Sequence, residues 1–134
     1  MKSKPVMQNN RRISPFMVAL LLMLTFWLIN PAMAGSGDPE TAQQAWPMIE
    51  QGALLIDVRT EEEFMTGHID GALNIPWQKT DQLITAIGTD KQRPVVVYCR
   101  SGNRSGKAKA ALETEGYTHI FNANGFEALK ESKP

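Results

Sequence analysis

A chain of 134 residues with 43% apolar and 21% charged residues has room for one ordinary globular core, which excludes a multidomain enzyme. Its 14 bases and 14 acids balance only formally: Lys2, Lys4, Arg11 and Arg12 lie in an acid-free stretch of 34 residues, and the remainder is mildly acidic, a poor match for a nucleic-acid backbone. A single cysteine and two histidines are too few for a structural zinc site, and one thiol cannot close an internal disulfide.

The first 12 residues are polar and basic, and Phe16 to Ile29 form an apolar run of 14 residues interrupted only by Thr25. A membrane-crossing helix needs about 20 residues. The run is followed by Asn30-Pro31 and by the small-residue pattern Ala32-Met33-Ala34. Residues 1–34 therefore read as a signal peptide cleaved after Ala34, leaving a domain of residues 35–134 in the periplasm. The alternative is an uncleaved anchor holding the same domain on the outer side of the membrane. In either case the lone Cys99 faces an oxidising space, where unpaired thiols are unusual.

Gly35 to Asp38 read as a short flexible lead. Thr41 to Gln51 carry Ala42, Ala45, Trp46 and Ile49 at helical spacing, with Pro47 inside and Gly52 as the stop. Ala53 to Val58 form a short apolar run suited to a buried strand, ending in Asp57 and Arg59. Thr60 followed by Glu61, Glu62 and Glu63 predicts a capped helix with an acidic first turn, Phe64 facing the core and Gly67 ending it. His68 to Pro76 predict a further short strand, and Asp81 to Ile87 an amphipathic helix closed by Gly88.

The most strand-like segment is Pro94 to Tyr98, β-branched and uncharged, as in a central parallel strand covered on both faces. Cys99 follows, then polar residues and glycine to Arg104, and Ser105 opens a helical run to Glu115 that stops at Gly116. His119 to Phe121 predict a last strand and Phe126 to Glu131 a last helix. Alternating strands and helices imply an α/β domain whose mostly parallel sheet is flanked by helices.

Ligands of parallel sheets bind beyond the carboxyl ends of the strands, which is where Cys99 falls. In Cys99-Arg100-Ser101-Gly102-Asn103-Arg104-Ser105, Gly102 and secondarily Asn103 can adopt left-handed backbone angles and turn amides inward as an anion cradle. The following helix adds the potential of its amino terminus, and Arg100 and Arg104 supply cationic donors. Such a setting favours a thiolate at Cys99. The plainer reading of a free cysteine is an inert buried thiol, and Arg100 reads equally as a solvated loop charge. Lys107 and Lys109 read as a solvated face. Trp46 and Trp77 read as packing residues.

Three ordered stretches carry a resemblance: the Cys99 to Arg104 loop, Asp57-Val58-Arg59-Thr60-Glu61-Glu62-Glu63-Phe64, and Gly67-His68-Ile69-Asp70-Gly71-Ala72-Leu73-Asn74-Ile75-Pro76. From Leu54 to Leu129 the chain resembles the rhodanese (thiosulfate sulfurtransferase) domain, in its small, exported, single-domain form. The resemblance implies that Cys99 takes the sulfane sulfur of thiosulfate as a persulfide and passes it to cyanide or a thiol. It also implies donor binding by Arg100, Ser101, Gly102, Asn103, Arg104 and Ser105, with Asp57, Arg59 and His68 as structural support. Neither metal nor cofactor is implied, and a monomer is expected. Phosphatase relatives place five residues between Cys and Arg where this chain has four, which disfavours phosphatase or arsenate-reductase chemistry. A catalytically weak sulfur-carrier or interaction module on the same frame is the competing reading. Asn122-Ala123-Asn124-Gly125-Phe126 departs from the family's paired glycines and later Trp, a departure that bears on the last helix's packing rather than on Cys99.

Overall fold

The computed structural model describes residues 41–134. The expected signal peptide and the Gly35 to Asp38 lead lie outside the described residues. Helix α1 (Ala42–Glu50) starts from a capping box in which the Thr41 hydroxyl accepts from the Gln44 amide and Gln44 reaches back to the Thr41 amide. Pro47 is accommodated inside it. Then follow β1 (Leu54–Asp57), α2 (Glu61–Thr66), the two-residue β2 (Leu73–Asn74), α3 (Thr80–Ile87), β3 (Val95–Cys99), α4 (Asn103–Thr114), β4 (Ile120–Gly125) and α5 (Phe126–Glu131).

The four strands form one sheet in the order β2-β1-β3-β4, with every pair parallel, so their carboxyl ends share one edge. All five residues of β3 are buried, as its β-branched run predicts. Strand alternation divides its side chains between two faces. Val95, Val97 and Cys99 pack with Leu83, Ile87, Ala108 and Leu112 beneath α3 and α4. Val96 and Tyr98 pack with Ala45, Trp46 and Leu129 beneath α1 and α5. Helices thus cover both faces, the expected layering.

Several local expectations are corrected. Helix α4 begins at Asn103 rather than at Ser105: Gly102, at φ +97°, ends the loop without any side-chain cap, so Asn103 is helical instead of left-handed. Phe64 is half-buried outside the core and stacks on His68, with ring centroids 3.7 Å apart. Strand β4 runs on to Gly125 because the chain shifts register between Val97 and Cys99, and Cys99 ends opposite Gly125. Lys107 is exposed, as a solvated face requires, and its ammonium also sits 4.9 Å from the Trp77 ring centre.

The last helix packs despite the missing tryptophan. Leu129 is fully buried, and the Trp46 indole donates to its carbonyl at 2.9 Å. Asn124 takes φ +64°, a left-handed position that asparagine tolerates better than most residues.

Candidate functional site

Cys99 is the final residue of β3, so its side chain emerges where the sheet stops and α4 begins. It is buried, but not among hydrocarbon alone. The Gly102 amide donates to Cys99 Sγ at 3.0 Å, and the Ser105 hydroxyl lies 3.3 Å from it. Burial by itself pushes the thiol up. The Ser105 hydroxyl and the backbone amides of Ser105, Ser101 and Gly102 outweigh that cost and hold Cys99 below the ordinary thiol range. The Ser105 hydroxyl leads these donors and the backbone amides of the loop follow, the arrangement expected of an anion cradle.

The loop keeps its shape through contacts from β4. Asn122 Nδ2 donates to the Gly102 carbonyl at 3.2 Å, and the Ser105 hydroxyl donates to Asn122 Oδ1 at 2.7 Å. Gly125 lies under the loop so closely that a Cβ there would meet the Arg100 carbonyl oxygen at 2.6 Å. Gly125→Ala is therefore expected to displace the Arg100 carbonyl and the amides that follow it. Thiol reactivity at neutral pH should fall about tenfold while the protein stays folded. Alkylation kinetics beside a thermal melt check this, and unchanged reactivity would refute the contact's importance.

Arg104 was expected to offer its fork to a substrate anion. In the structure Glu63 of α2 occupies that fork: Nη1 donates to Glu63 Oε2 at 2.6 Å and Nη2 to Oε1 at 2.8 Å. The Arg104 guanidinium and the Thr60 amide hold the Glu63 carboxyl at about 2, against an ordinary value near 4.5. Arg104 thus latches α2 to the first turn of α4, while its charge still acts on Cys99. Arg100 and Ser101 are exposed, and Arg100 borders a groove of about 460 Å³ with Glu63, Thr66, Phe126, Glu127 and Lys130.

The carboxyl end of β1 forms a second brace. Asp57 is fully buried and accepts from the Arg59 backbone amide at 2.9 Å and from its guanidinium at 2.6 and 3.0 Å. The same guanidinium reaches the Gly67 carbonyl at 2.7 Å and lies 4.4 Å from the Phe126 ring centre. One cation therefore joins β1, the turn after α2 and the start of α5. His68 is exposed, and its Nδ1 is 3.0 Å from the Phe64 carbonyl, which closes the turn after α2.

Sequence reasoning missed Glu63, Asn122 and Gly125. As one of three acids in the first turn of a helix, Glu63 has a sufficient local role in the sequence, and the structure adds a capping box with Thr60. Asn122 and Gly125 lie in a segment noticed only as a departure from a family pattern, though the Asn124-Gly125 pair ahead of a helix was a usable turn signal.

Comparison with known proteins accords with this geometry. The thiosulfate sulfurtransferase PspE of Escherichia coli K12 is 41% identical over 78 residues, 58% of this chain and 75% of that protein. The thiosulfate sulfurtransferase GlpE of Pseudomonas fluorescens SBW25 is 34% identical over 97 residues, covering 72% and 84% respectively. A solved E. coli rhodanese with anions superposes with a TM-score of 0.53 at 41% identity, over 57% of this chain and 89% of that one. The rhodanese-like domain family model matches residues 41–132, nearly all of the described chain, and the protein belongs to that family.

Proposed function

We propose that the protein is a sulfurtransferase that carries sulfane sulfur on Cys99. The Cys99 thiolate attacks the outer sulfur of thiosulfate, the S–S bond breaks with its electron pair leaving on sulfite, and a cysteine persulfide remains. Cyanide or a thiolate then takes the outer sulfur, giving thiocyanate or a new persulfide and restoring the thiolate. The observation that carries this reading is the donor set around Cys99 Sγ, where the Gly102 amide and the Ser105 hydroxyl face a sulfur held below its ordinary pKa. The same donors suit the terminal sulfur of a persulfide, and sulfite needs no general acid to depart. The relatives named as thiosulfate sulfurtransferases support the substrate, and the anions named with the E. coli rhodanese support an anion-binding site.

The occupied fork of Arg104 also favours sulfur over phosphorus. A phosphatase of this general form would use that fork on the phosphoryl oxygens, whereas here Glu63 fills it. Arg100, exposed at the mouth, is the cation that meets the incoming donor. The reading includes export to the periplasm, argued from the leader pattern of residues 1–34.

Mass spectrometry of the protein after thiosulfate treatment tests this reading. A gain of one sulfur atom on Cys99 is expected, removed by cyanide with formation of thiocyanate. The rate of loading should rise with pH through a midpoint below the ordinary thiol value, because only the thiolate attacks. No gain in mass would leave a binding module on the rhodanese frame, and aryl-phosphate hydrolysis without sulfur uptake would point to a phosphatase. Cell fractionation with the mass of the mature chain tests export, and a full-length cytoplasmic product would refute it.

A further inference from the structure

Ser105 has one hydroxyl hydrogen and three acceptors within reach: Asn122 Oδ1 at 2.7 Å, the Gly102 carbonyl at 3.2 Å and Cys99 Sγ at 3.3 Å. Asn122 cannot turn away from this competition. Its Oδ1 accepts from the Asn124 amide at 3.0 Å and its Nδ2 donates to the Gly102 carbonyl at 3.2 Å, so flipping the amide would set oxygen against oxygen and nitrogen against an N–H. The shortest of the three contacts is therefore a fixed acceptor aimed at the hydrogen that Cys99 would otherwise receive.

We infer that Asn122 is a positioning residue that holds the Ser105 hydrogen away from the sulfur at rest and yields it only when charge develops at Cys99. With a thiol present, Ser105 donates to Asn122 and its own oxygen is open to the weak S–H donor. With a thiolate or persulfide, the hydroxyl rotates to the sulfur and Asn122 Oδ1 keeps the Asn124 amide. Asn122 thus moderates the nucleophile against the amides that strengthen it. The inference rests on the reading of Cys99 as the reacting sulfur, but its chemistry is that of one hydroxyl rotor.

The test measures the pH dependence of Cys99 alkylation by iodoacetamide, without any sulfur donor, so that failure here is distinct from failure of sulfur transfer. Among the described residues, the charged groups around Cys99 are Arg104 on α4, Glu63 on α2 bound to it, the Asp57–Arg59 pair at the end of β1 and Arg100 on the loop; β4 carries no titratable side chain. Asn122→Leu removes the competing acceptor at similar volume and should lower the alkylation midpoint by about half a unit, roughly a threefold gain in rate below it. Ser105→Ala should raise the midpoint in the parent, raise it more in the Asn122→Leu background, and raise it least beside Asn122→Asp, whose carboxylate retains the hydroxyl. A purely structural role for Asn122 predicts no such ordering. An equal effect of Ser105→Ala in all backgrounds, or the reverse order, overturns the inference. Melting curves establish folding, and either Asn122 variant alone decides the comparison if the other does not fold.

Discussion

Cys99→Ser should abolish sulfur uptake and thiocyanate formation, with a loss on the order of a thousandfold or more. The expectation comes from acidity rather than from shape. A hydroxyl in the same cradle stays protonated at neutral pH, because the donors that tip a thiol below its ordinary value cannot bring an alcohol down by the much larger interval required. Oxygen is smaller than sulfur and accepts hydrogen bonds at least as well from the Gly102 amide, so the variant should melt within a few degrees of the parent. Discontinuous thiocyanate assays and intact-mass measurements check the result. Residual turnover in Cys99→Ser would mean that sulfur passes through the protein without resting on this residue.

The second large effect is expected at the Glu63–Arg104 latch. Arg104→Ala should lower kcat/KM for thiosulfate about tenfold, and Glu63→Gln should do nearly the same, although Glu63 lies on another helix and contributes no positive charge. The two changes combined should cost little more than either alone, since both release the same contact. Lys109→Ala, one turn further along α4 and 3.9 Å from Glu113, should change activity less than about twofold. Equal losses from Arg104→Ala and Lys109→Ala would mean a diffuse field rather than a specific latch. Acid provides a second check. Glu63 titrates near 2 in the folded chain against about 4.5 when unperturbed, so its contribution to stability is complete above about 4.5 and fades as the pH falls toward 2. With both side chains partly exposed the effect is about 1 kcal/mol, and Glu63→Gln should lack that acid-dependent loss.

The features that could be read from sequence were those whose cause is local. The β3 run, the thiol after it and Gly102 form one continuous stretch, and Asp57 and Arg59 are two residues apart, so their juxtaposition needed only a strand end. Boundaries suffered where a side chain suggested a cap that the backbone did not use: Ser105 resembles a helix start, but Gly102 reaches the left-handed region and begins the helix with no side-chain cap. Ser105 is instead turned inward to the sulfur. The Glu63–Arg104 pair spans 41 residues, and nothing in either neighbourhood signals the other. Glu63 is accounted for in the sequence as part of an acidic first turn, so no unexplained charge invites a search. Asn122 likewise carries no local signal, and its partners Gly102 and Ser105 come within reach only when β4 is laid beside β3. Long-range pairing of polar groups depends on the register of strands, which hydrophobic periodicity leaves open wherever a bulge intervenes.

The close approach of Gly125 beneath the Arg100 carbonyl has a consequence for transplantation. A heptapeptide copied from Cys99 to Ser105 onto a foreign strand-to-helix junction would bring every letter of the loop without the floor that holds its amides in place. The floor it rests on is supplied by the segment from Asn122 to Gly125, so both pieces would have to be grafted together, facing one another, for an imported sulfur to behave as this one does.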